Sequence, residues 1–323
     1  MCFLDESGSL AKVSGRLLRL ETLQIQNLKL PLDGDGGNIL DLFVNCPSLK
    51  SAKIVTEGGE VTSQAFQLPW AQLEELHMEI PCGLPAAFCT SLVSLTIAYV
   101  WHEPWNRHST VPVALEQLET LQLLPPHSDL RTLLLIPFRY LTLPKLHTLT
   151  LESELFEISW HHNDFLQFMD RSQCPIKKIQ FTLGMLVVQD PGVEIPAFLE
   201  ALPNLEDLHI EIDDWGGSDL SNALFRSLHA LPVMTPVLPC LQTLSITFDS
   251  NPVDYQVLLI SIASRRTHLG DFVQPLKLFS LSSTSYEYHN RMTQEIYGTF
   301  LALRDEGLRL ILDEGLKPFI ESE

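Results

Sequence analysis

Residues 205–212 read LEDLHIEI, and residues 73–80 read LEELHMEI, which is a near copy. In both stretches polar residues alternate with apolar ones, the pattern of a β-strand with one buried face. Each copy also holds a histidine between two carboxylates, a combination that suits a metal site or acid–base chemistry. Each copy is therefore either a chemical site or one occurrence of a recurring strand, and the rest of the sequence favours the strand.

The frame apolar-x-x-apolar-x-apolar recurs ten times along the chain. The first residues of the ten frames are Leu20, Leu49, Leu73, Leu92, Leu118, Leu146, Ile176, Leu205, Leu241 and Leu276. A preface with proline precedes several frames, as in CPSL at 46, LPKL at 143, LPNL at 202 and LPCL at 238. Proline fits there because the strand has not begun and no hydrogen-bond donor of the ladder is lost. A strand that recurs every 19 to 36 residues predicts a repeat protein.

Segments between the later frames carry helix signals. NDFLQFMDRSQCP begins with a capping residue at Asn163 or Asp164, SDLSNALFRSLHALP begins at Ser218, and VDYQVLLISIASRR begins at Asp254. GVEIPAFLEALPNL places apolar residues on one helical face after Pro196. A short strand followed by a helix or tight turn is the leucine-rich-repeat plan. We therefore predict an α/β fold, an irregular leucine-rich-repeat solenoid that forms an arc of about ten repeats with a parallel inner sheet.

The predicted domain organisation has three parts. Residues 1–17 form an N-terminal lead-in, residues 18–285 hold the leucine-rich repeats, and residues 286–323 form a C-terminal helix and capping segment. Within the last part we expect a helix from about Thr293 to Asp305 and then a short strand, LRLIL. A terminal repeat needs a polar outer cap, and this segment is the natural candidate.

The composition narrows the class of partner. The formal charge is −19, from 40 acidic against 21 basic residues. Such a charge repels phosphate backbones and anionic lipid, so we predict that the chain binds neither nucleic acid nor a membrane and that its partner is a basic protein.

The N-terminus, MCFLDESGSL, shows no secretory signal, and the six cysteines form no C-x-x-C pair. We expect an intracellular protein, cytoplasmic or nuclear, with buried free thiols.

The third, fifth and seventh residues of each frame are expected on the open, concave face of the sheet. The residues predicted there to bind a partner are Glu75, His77, Glu79, Gln122, Thr150, Gln180, Asp207, His209 and Glu211.

The spacing of these residues does not suit a metal site. Side chains of alternate residues leave the strand backbone about 6.5–7 Å apart, whereas a zinc ion needs its donor atoms about 2 Å away. No catalytic or nucleotide-binding motif occurs either. We predict no metal, no cofactor and no catalytic residue.

Two loops carry tryptophans. YVWHEPWNRH places Trp101 and Trp105 after the fourth frame, and EIDDWGGSD places Trp215 after the eighth. Tryptophan is enriched at binding hot spots, so these three residues are also candidates for partner binding. The alternative is that the indoles pack beneath their own loops as small satellite clusters.

Several stretches together carry a resemblance to a known family. They are LPWAQLEELHME, FLQFMDRSQCPIKKIQF, LPNLEDLHI, LPCLQTLSI and LRLILDEGLKPFI. Together they resemble the leucine-rich-repeat portion of the F-box proteins of mushroom-forming (basidiomycete) fungi. In that family the F-box docks onto the adaptor of a cullin ubiquitin ligase, and the repeats hold the substrate.

The resemblance implies a non-catalytic substrate-recognition module of an F-box-type ubiquitin-ligase receptor. Residues 1–70 show no F-box pattern, so the cullin adaptor is an expected partner only if an F-box lies upstream. The alternative is a free-standing leucine-rich-repeat scaffold with no ubiquitin link.

Overall fold

The computed structural model has an α/β fold built on a parallel sheet of eleven strands. It describes residues 17–28, 43–56, 68–79, 89–98, 112–124, 136–152, 158–159, 162–182, 186–187, 191–212, 217–229, 237–248, 253–267, 273–284 and 292–318. Trp101, Trp105 and Trp215 lie outside these residues, so the predictions for them stay predictions.

The strands of the described residues are β1 Thr22–Leu28, β2 Ser51–Thr56, β3 Glu75–Glu79, β4 Ser94–Ala98, β5 Val113–Ala114, β6 Thr120–Leu124, β7 Leu141–Thr142, β8 Thr148–Leu151, β9 Ile158–Ser159, β10 Lys178–Thr182, β11 Leu186–Val187, β12 Asp207–Ile212, β13 Thr243–Phe248, β14 Leu278–Ser283 and β15 Arg309–Leu312. The large sheet has the order β1-β2-β3-β4-β6-β8-β10-β12-β13-β14-β15. Two pairs of two-residue strands, β5 with β7 and β9 with β11, form separate small sheets. Each of the ten frames therefore carries one strand of the large sheet, and the predicted LRLIL strand is the eleventh.

The helices of the described residues are α1 Ile136–Tyr140, α2 His162–Ser172, α3 Pro191–Glu200, α4 Gly217–Ser227, α5 Tyr255–Thr267 and α6 Gln294–Asp305, with 3-10 turns at Leu17–Arg19, Trp70–Gln72 and Glu314–Leu316. The sequence predicted α2 to α6, but α3 begins earlier than predicted and contains Pro196. The predicted capping residues were wrong for two helices, because Asn163 and Asp164 lie inside α2 and Ser218 lies inside α4. Asp254 caps α5, since its carboxylate accepts the N–H groups of Gln256 at 3.0 Å and Val257 at 3.1 Å. Thr293 caps α6 by accepting the N–H of Ile296.

Contacts divide the chain into two compact units. Unit 1 comprises Met1–Thr148 and Asn163–Cys174, and unit 2 comprises Leu149–His162 and Pro175–Glu323. Unit 1 includes a cluster of buried phenylalanines in which the ring of Phe138 lies 5.5 Å from Phe165 and 4.9 Å from Phe168. In unit 2, helices pack on strands through pairs such as Phe279 on β14 and Phe300 on α6, which stack with 5.6 Å between ring centroids.

The proline preface forms a tight turn immediately before the strands that it precedes. The N–H of the first frame residue donates to the carbonyl three residues earlier, as Leu205 does to Leu202 at 3.1 Å and Leu146 to Leu143 at 3.2 Å. Proline is favoured at the second position of such turns because its φ angle is already set. Pro203 occupies this position. The preface proline therefore shapes the turn in addition to sparing a ladder donor.

The carbonyl of the second frame residue fixes the register between neighbouring strands. The Lys50 carbonyl accepts the N–H groups of Glu74 at 2.8 Å and Glu75 at 3.0 Å. In unit 2 the Glu206 carbonyl accepts those of Gln242 and Thr243 at 2.9 and 3.0 Å. Because the same two bonds recur, equivalent frame residues lie opposite each other on adjacent strands within each unit.

A buried arginine joins two helices of unit 2. Arg265, near the end of α5, is 1% exposed. Its guanidinium donates to the carbonyls of Leu228 at 2.7 Å and Leu238 at 3.0 Å, and to that of Val237. Leu228 directly follows α4, so the cation lies at the carbonyl end of a neighbouring helix, where the helix dipole favours positive charge. Burial lowers the pKa of Arg265 to about 10.

Arg171 makes the same kind of contact in unit 1. It lies near the end of α2 and donates to the carbonyls of Phe138 at 2.5 Å and Leu141 at 2.8 Å, at the end of α1. Burial lowers the pKa of Arg171 too. Arginine suits this role because its fork of donors can satisfy several carbonyls at once.

Candidate functional site

In unit 1 the predicted site residues of β3 lie on the outward face, meaning the face of the sheet opposite the buried apolar residues. Leu76 and Met78 are 2% and 3% exposed and point into the core. Glu75 is exposed, and His77 and Glu79 are half-buried on the opposite side. The alternation that suggested a strand therefore also places these three polar side chains together on one surface.

The carboxylate of Glu79 has two basic neighbours. The His77 Nε2 lies 2.7 Å from Glu79 Oε1, and the Lys53 Nζ lies 3.7 Å from the same oxygen. Lys53 is the residue of β2 in register with His77, and Thr96 of β4 and Gln122 of β6 continue the row. The hydroxyl of Thr96 donates to the side-chain oxygen of Gln122 at 3.4 Å. The outward residues of β3 look acidic in the sequence. In the structure they lie beside a lysine, and Lys53 partly neutralises the charge of the Glu79 carboxylate.

In unit 2 the residues of β12 repeat this arrangement with different neighbours. Asp207, His209 and Glu211 alternate with fully buried apolar residues. The Lys178 Nζ on β10 lies 3.4 Å from Asp207 Oδ2. His209 is in register with Gln180 on one side, and the row continues through Ser245 and Ser280 on the other.

Hydroxyl groups dominate the outward face of unit 2 on β13 and β14. The Thr247 and Ser282 hydroxyl oxygens lie 2.9 Å apart and share a hydrogen bond across these two strands. Ser245 and Ser280 are partly exposed beside them. These short side chains offer both donors and acceptors, so this part of the surface forms hydrogen bonds without selecting a partner by charge.

Thr150 is half-buried on β8, where it alternates with the buried Leu149 and Leu151. Gln122 and Gln180 are half-buried on β6 and β10. Each of these predicted residues therefore lies on the outward face of its strand. Nothing in the structure shows what they bind, and their role in partner binding stays a prediction.

Sequence reasoning did not single out the lysines of this surface. Lys53 is the fifth residue of its frame and Lys178 the third of its frame, positions that face outward in every frame. Alignment of the frames in register would have placed both lysines beside the acidic strands. At the second frame position, Lys50 pairs with Glu74 at 2.7 Å and Lys177 with Glu206 at 2.9 Å. Within the described residues, Glu75 and Glu211 are outward carboxylates that form no ion pair.

The four described cysteines are thiols that form no disulfide. Cys46, Cys89 and Cys174 are buried, and Cys240 is partly exposed. Burial raises the pKa of Cys89 to about 12 and that of Cys174 to about 11. Such thiols stay protonated at neutral pH and are poor nucleophiles and poor metal ligands. Within the described ranges no three His, Cys, Asp or Glu side chains are grouped so that they could hold a metal ion.

No protein-family model matches the chain, and a search of curated proteins returned no match. The resemblance to fungal F-box proteins therefore depends on the sequence stretches quoted above. Within the part of the chain that the structure describes, no helix is both long enough and apolar enough to cross a membrane.

Proposed function

We propose that the chain is a leucine-rich-repeat protein that binds other proteins through the outward faces of its strands and performs no catalysis. The observation that carries this proposal is the strict register of the frames. Third and fifth frame residues are brought into rows of side chains about 4.8 Å apart, on strands whose other face is buried. A rigid scaffold that displays ordered rows of side chains is typical of repeat proteins that bind partners.

The chemistry of the rows suits a polar protein surface. In two places a lysine lies beside a carboxylate of the neighbouring strand, and hydroxyl and amide groups occupy other strands. Such a surface recognises a partner by hydrogen bonds and local charge pairs. The exposed Glu75 and Glu211 favour basic groups on the partner at these two positions.

By resemblance, the most specific form of the proposal is the substrate-recognition part of an F-box-type ubiquitin-ligase receptor. The ligase adaptor would then bind through an F-box upstream of the repeats, while the repeats hold the substrate. The second candidate is a free-standing leucine-rich-repeat scaffold with no ubiquitin link. The two candidates share the binding surface and differ in whether the ligase adaptor joins the complex.

Affinity purification with quantitative mass spectrometry tests the binding surface. We expect proteins that the unchanged chain captures to be lost with His77→Ala plus Gln122→Ala, or with His209→Ala plus Gln180→Ala. The control is Thr299→Ala, which removes a polar side chain from the exposed surface of α6, away from the outward faces of the strands. If both double variants capture the same proteins as the control, the outward faces are not the binding surface. Adaptor and cullin subunits among the retained proteins favour the receptor, and their absence with substrates still bound favours the scaffold.

A further inference from the structure

The last strand of the sheet has an edge that no other described strand covers. Among the described residues, β15 stands at the end of the strand order and pairs with β14 alone. The N–H of Arg309 donates to the Lys277 carbonyl at 2.9 Å, and that of Asp313 donates to the Leu281 carbonyl at 3.0 Å. In a parallel pair the N–H and C=O groups of alternate residues point to opposite sides. Those of Leu310 and Leu312 therefore point away from β14.

The core is also incompletely covered at this edge. The core-facing residues of β10, β12, β13 and β14 are at most 1% exposed, except at the strand ends. Leu310 and Leu312 occupy the equivalent positions in β15 and are only half-buried. On the neighbouring strand β14 the core face is covered, since Phe300 of α6 stacks on Phe279, whereas no further strand follows β15 within the described residues. On the outward face of β15, Ile311 is 46% exposed.

We propose that this edge binds the same edge of a second copy of the chain, antiparallel, about a two-fold axis at Ile311. This register places Leu310 opposite Leu312 of the second copy, and both residues direct their backbone groups outward. The two symmetry-related pairs would form four backbone hydrogen bonds. Ile311 would face its own copy in a pair without backbone hydrogen bonds, the type in which side chains approach most closely.

Charge complementarity favours a second copy of the chain as the partner at the β15 edge. In the same register, Arg309 of one copy lies opposite Asp313 of the other, and the contact occurs twice because the interface is two-fold symmetric. Arg309 shares the outward face with Ile311 and is exposed, and the alternation continued by one residue assigns Asp313 to the same face. Asp313 is half-buried, and its carboxylate accepts the N–H of Gly315 at 3.2 Å and that of Ser283 at 3.5 Å, which leaves lone pairs for a guanidinium. Asp313 has an extended backbone, so the strand geometry continues to it. One apolar contact at the centre with an ion pair on each side makes the edge self-complementary.

The backbone groups and side chains of an edge strand explain why it attracts a partner strand. Unpaired backbone groups and an exposed apolar side chain on an edge strand are a template for pairing with another chain. Pairing would provide hydrogen-bond partners for the backbone N–H and C=O groups of Leu310 and Leu312 that point away from β14. It would also cover the side chains of these two residues further. A closed, two-fold pair also ends growth, whereas a head-to-tail contact with the edge of β1 would propagate into a polymer.

Disulfide trapping of the full chain tests the register. With Ile311→Cys we expect a disulfide between the two copies, because directly opposite residues have Cα atoms about 4.5 Å apart, within the range a disulfide can bridge. The matched control is Arg309→Cys, since the two copies of that position are four residues out of register, about 13 Å apart. We expect mild oxidation, followed by mass mapping, to give at least tenfold more dimer with Ile311→Cys than with Arg309→Cys.

Sedimentation of the chain without added cysteines tests the charge pair. Arg309→Glu places a like charge opposite Asp313 and should lower the dimer fraction at least several-fold at fixed concentration. Arg304→Glu on α6, whose arginine pairs only with the adjacent Asp305 among described residues, is the control and should leave the dimer unchanged. Equal trapping of both cysteine variants, a monomer at all concentrations, or a ladder of larger assemblies would each overturn the proposal.

Discussion

Arg265 provides a test of what holds the outer helices of unit 2 in place. Replacement by methionine keeps most of the apolar stem but removes the guanidinium and its three carbonyl contacts. The Leu238 carbonyl retains the N–H of Leu241 at 3.2 Å, so the loss falls mainly on the carbonyls of Leu228 and Val237. A buried carbonyl left without its partner costs about 1–3 kcal/mol, which gives about 4 kcal/mol for these two.

A second effect opposes this loss. Burial lowers the pKa of Arg265 from 12.5 to about 10, which corresponds to about 3 kcal/mol of unfavourable desolvation of the cation. Arg265→Met no longer buries a charge and regains this amount. We therefore expect Arg265→Met to lower the free energy of unfolding by only about 1 kcal/mol.

Arg265→Lys should be the more harmful variant, although it conserves the charge. It still buries a cation, but a single ammonium group cannot reproduce the fork that reaches three carbonyls. We expect a loss of about 3 kcal/mol at pH 7. Burial should lower the pKa of the introduced lysine below its unfolded value near 10.4. Between these two pKa values the unfolded chain binds more protons, so the stability of Arg265→Lys should rise with pH toward 10.

Urea unfolding followed by circular dichroism at pH 7 and pH 9.5 measures these differences. Arg304→Met is the matched control, because Arg304 is exposed and its ion pair with Asp305 should contribute less than about 0.5 kcal/mol. The reasoning is refuted if Arg265→Lys is as stable as the unchanged chain while Arg265→Met loses several kcal/mol. That result would mean that the charge itself, and not the geometry of the donors, stabilises the helix ends.

Two further predictions address the core. Leu244→Ala should lower the free energy of unfolding by about 2–5 kcal/mol, because Leu244 is fully buried, whereas Ser245→Ala on the opposite face should change it by about 0.5 kcal/mol or less. Similar losses for the two in urea unfolding would contradict the assigned faces. The second prediction concerns the thiols of Cys89 and Cys174, whose pKa values burial raises to about 12 and 11 from 9.0. Above pH 9 the unfolded chain releases protons that the folded chain retains, so stability should fall from pH 9 toward 11. In native protein at pH 8.5, peptide mapping should show Cys240 alkylated before either buried thiol, and equal rates would contradict their burial.

The sequence was sufficient for the strands of the large sheet because its signals there are local. A period of two, a leucine frame and a preceding turn depend on neighbouring residues alone, and they placed Leu76 and Met78 inside and His77 outside. The helices α5 and α6 were predictable for the same reason, since their capping residues Asp254 and Thr293 are local signals along the chain. The two-residue strands β5, β7, β9 and β11 were not predicted, because so short a stretch has no measurable period.

The candidate surface was predictable only in part. Frame position gave the side of the sheet for His77 and His209, but the unequal intervals hid which residues of different frames become neighbours. Only the register revealed that Lys53 approaches Glu79 and that Lys178 approaches Asp207. The outward residues of β3 and β12 therefore looked more acidic in the sequence than the surface is in the structure.

The sequence by itself determined that this chain has recurring strands with one buried and one polar face, because hydrophobic periodicity is a property of consecutive residues. Tertiary structure alone decided three other features. They are the burial of Arg265 against the end of α4, the pairing of charges across strands, and the position of β15 at the end of the described sheet. Each depends on contacts between segments far apart along the chain, and hydrogen bonds and burial between such segments exist only after the strands have paired.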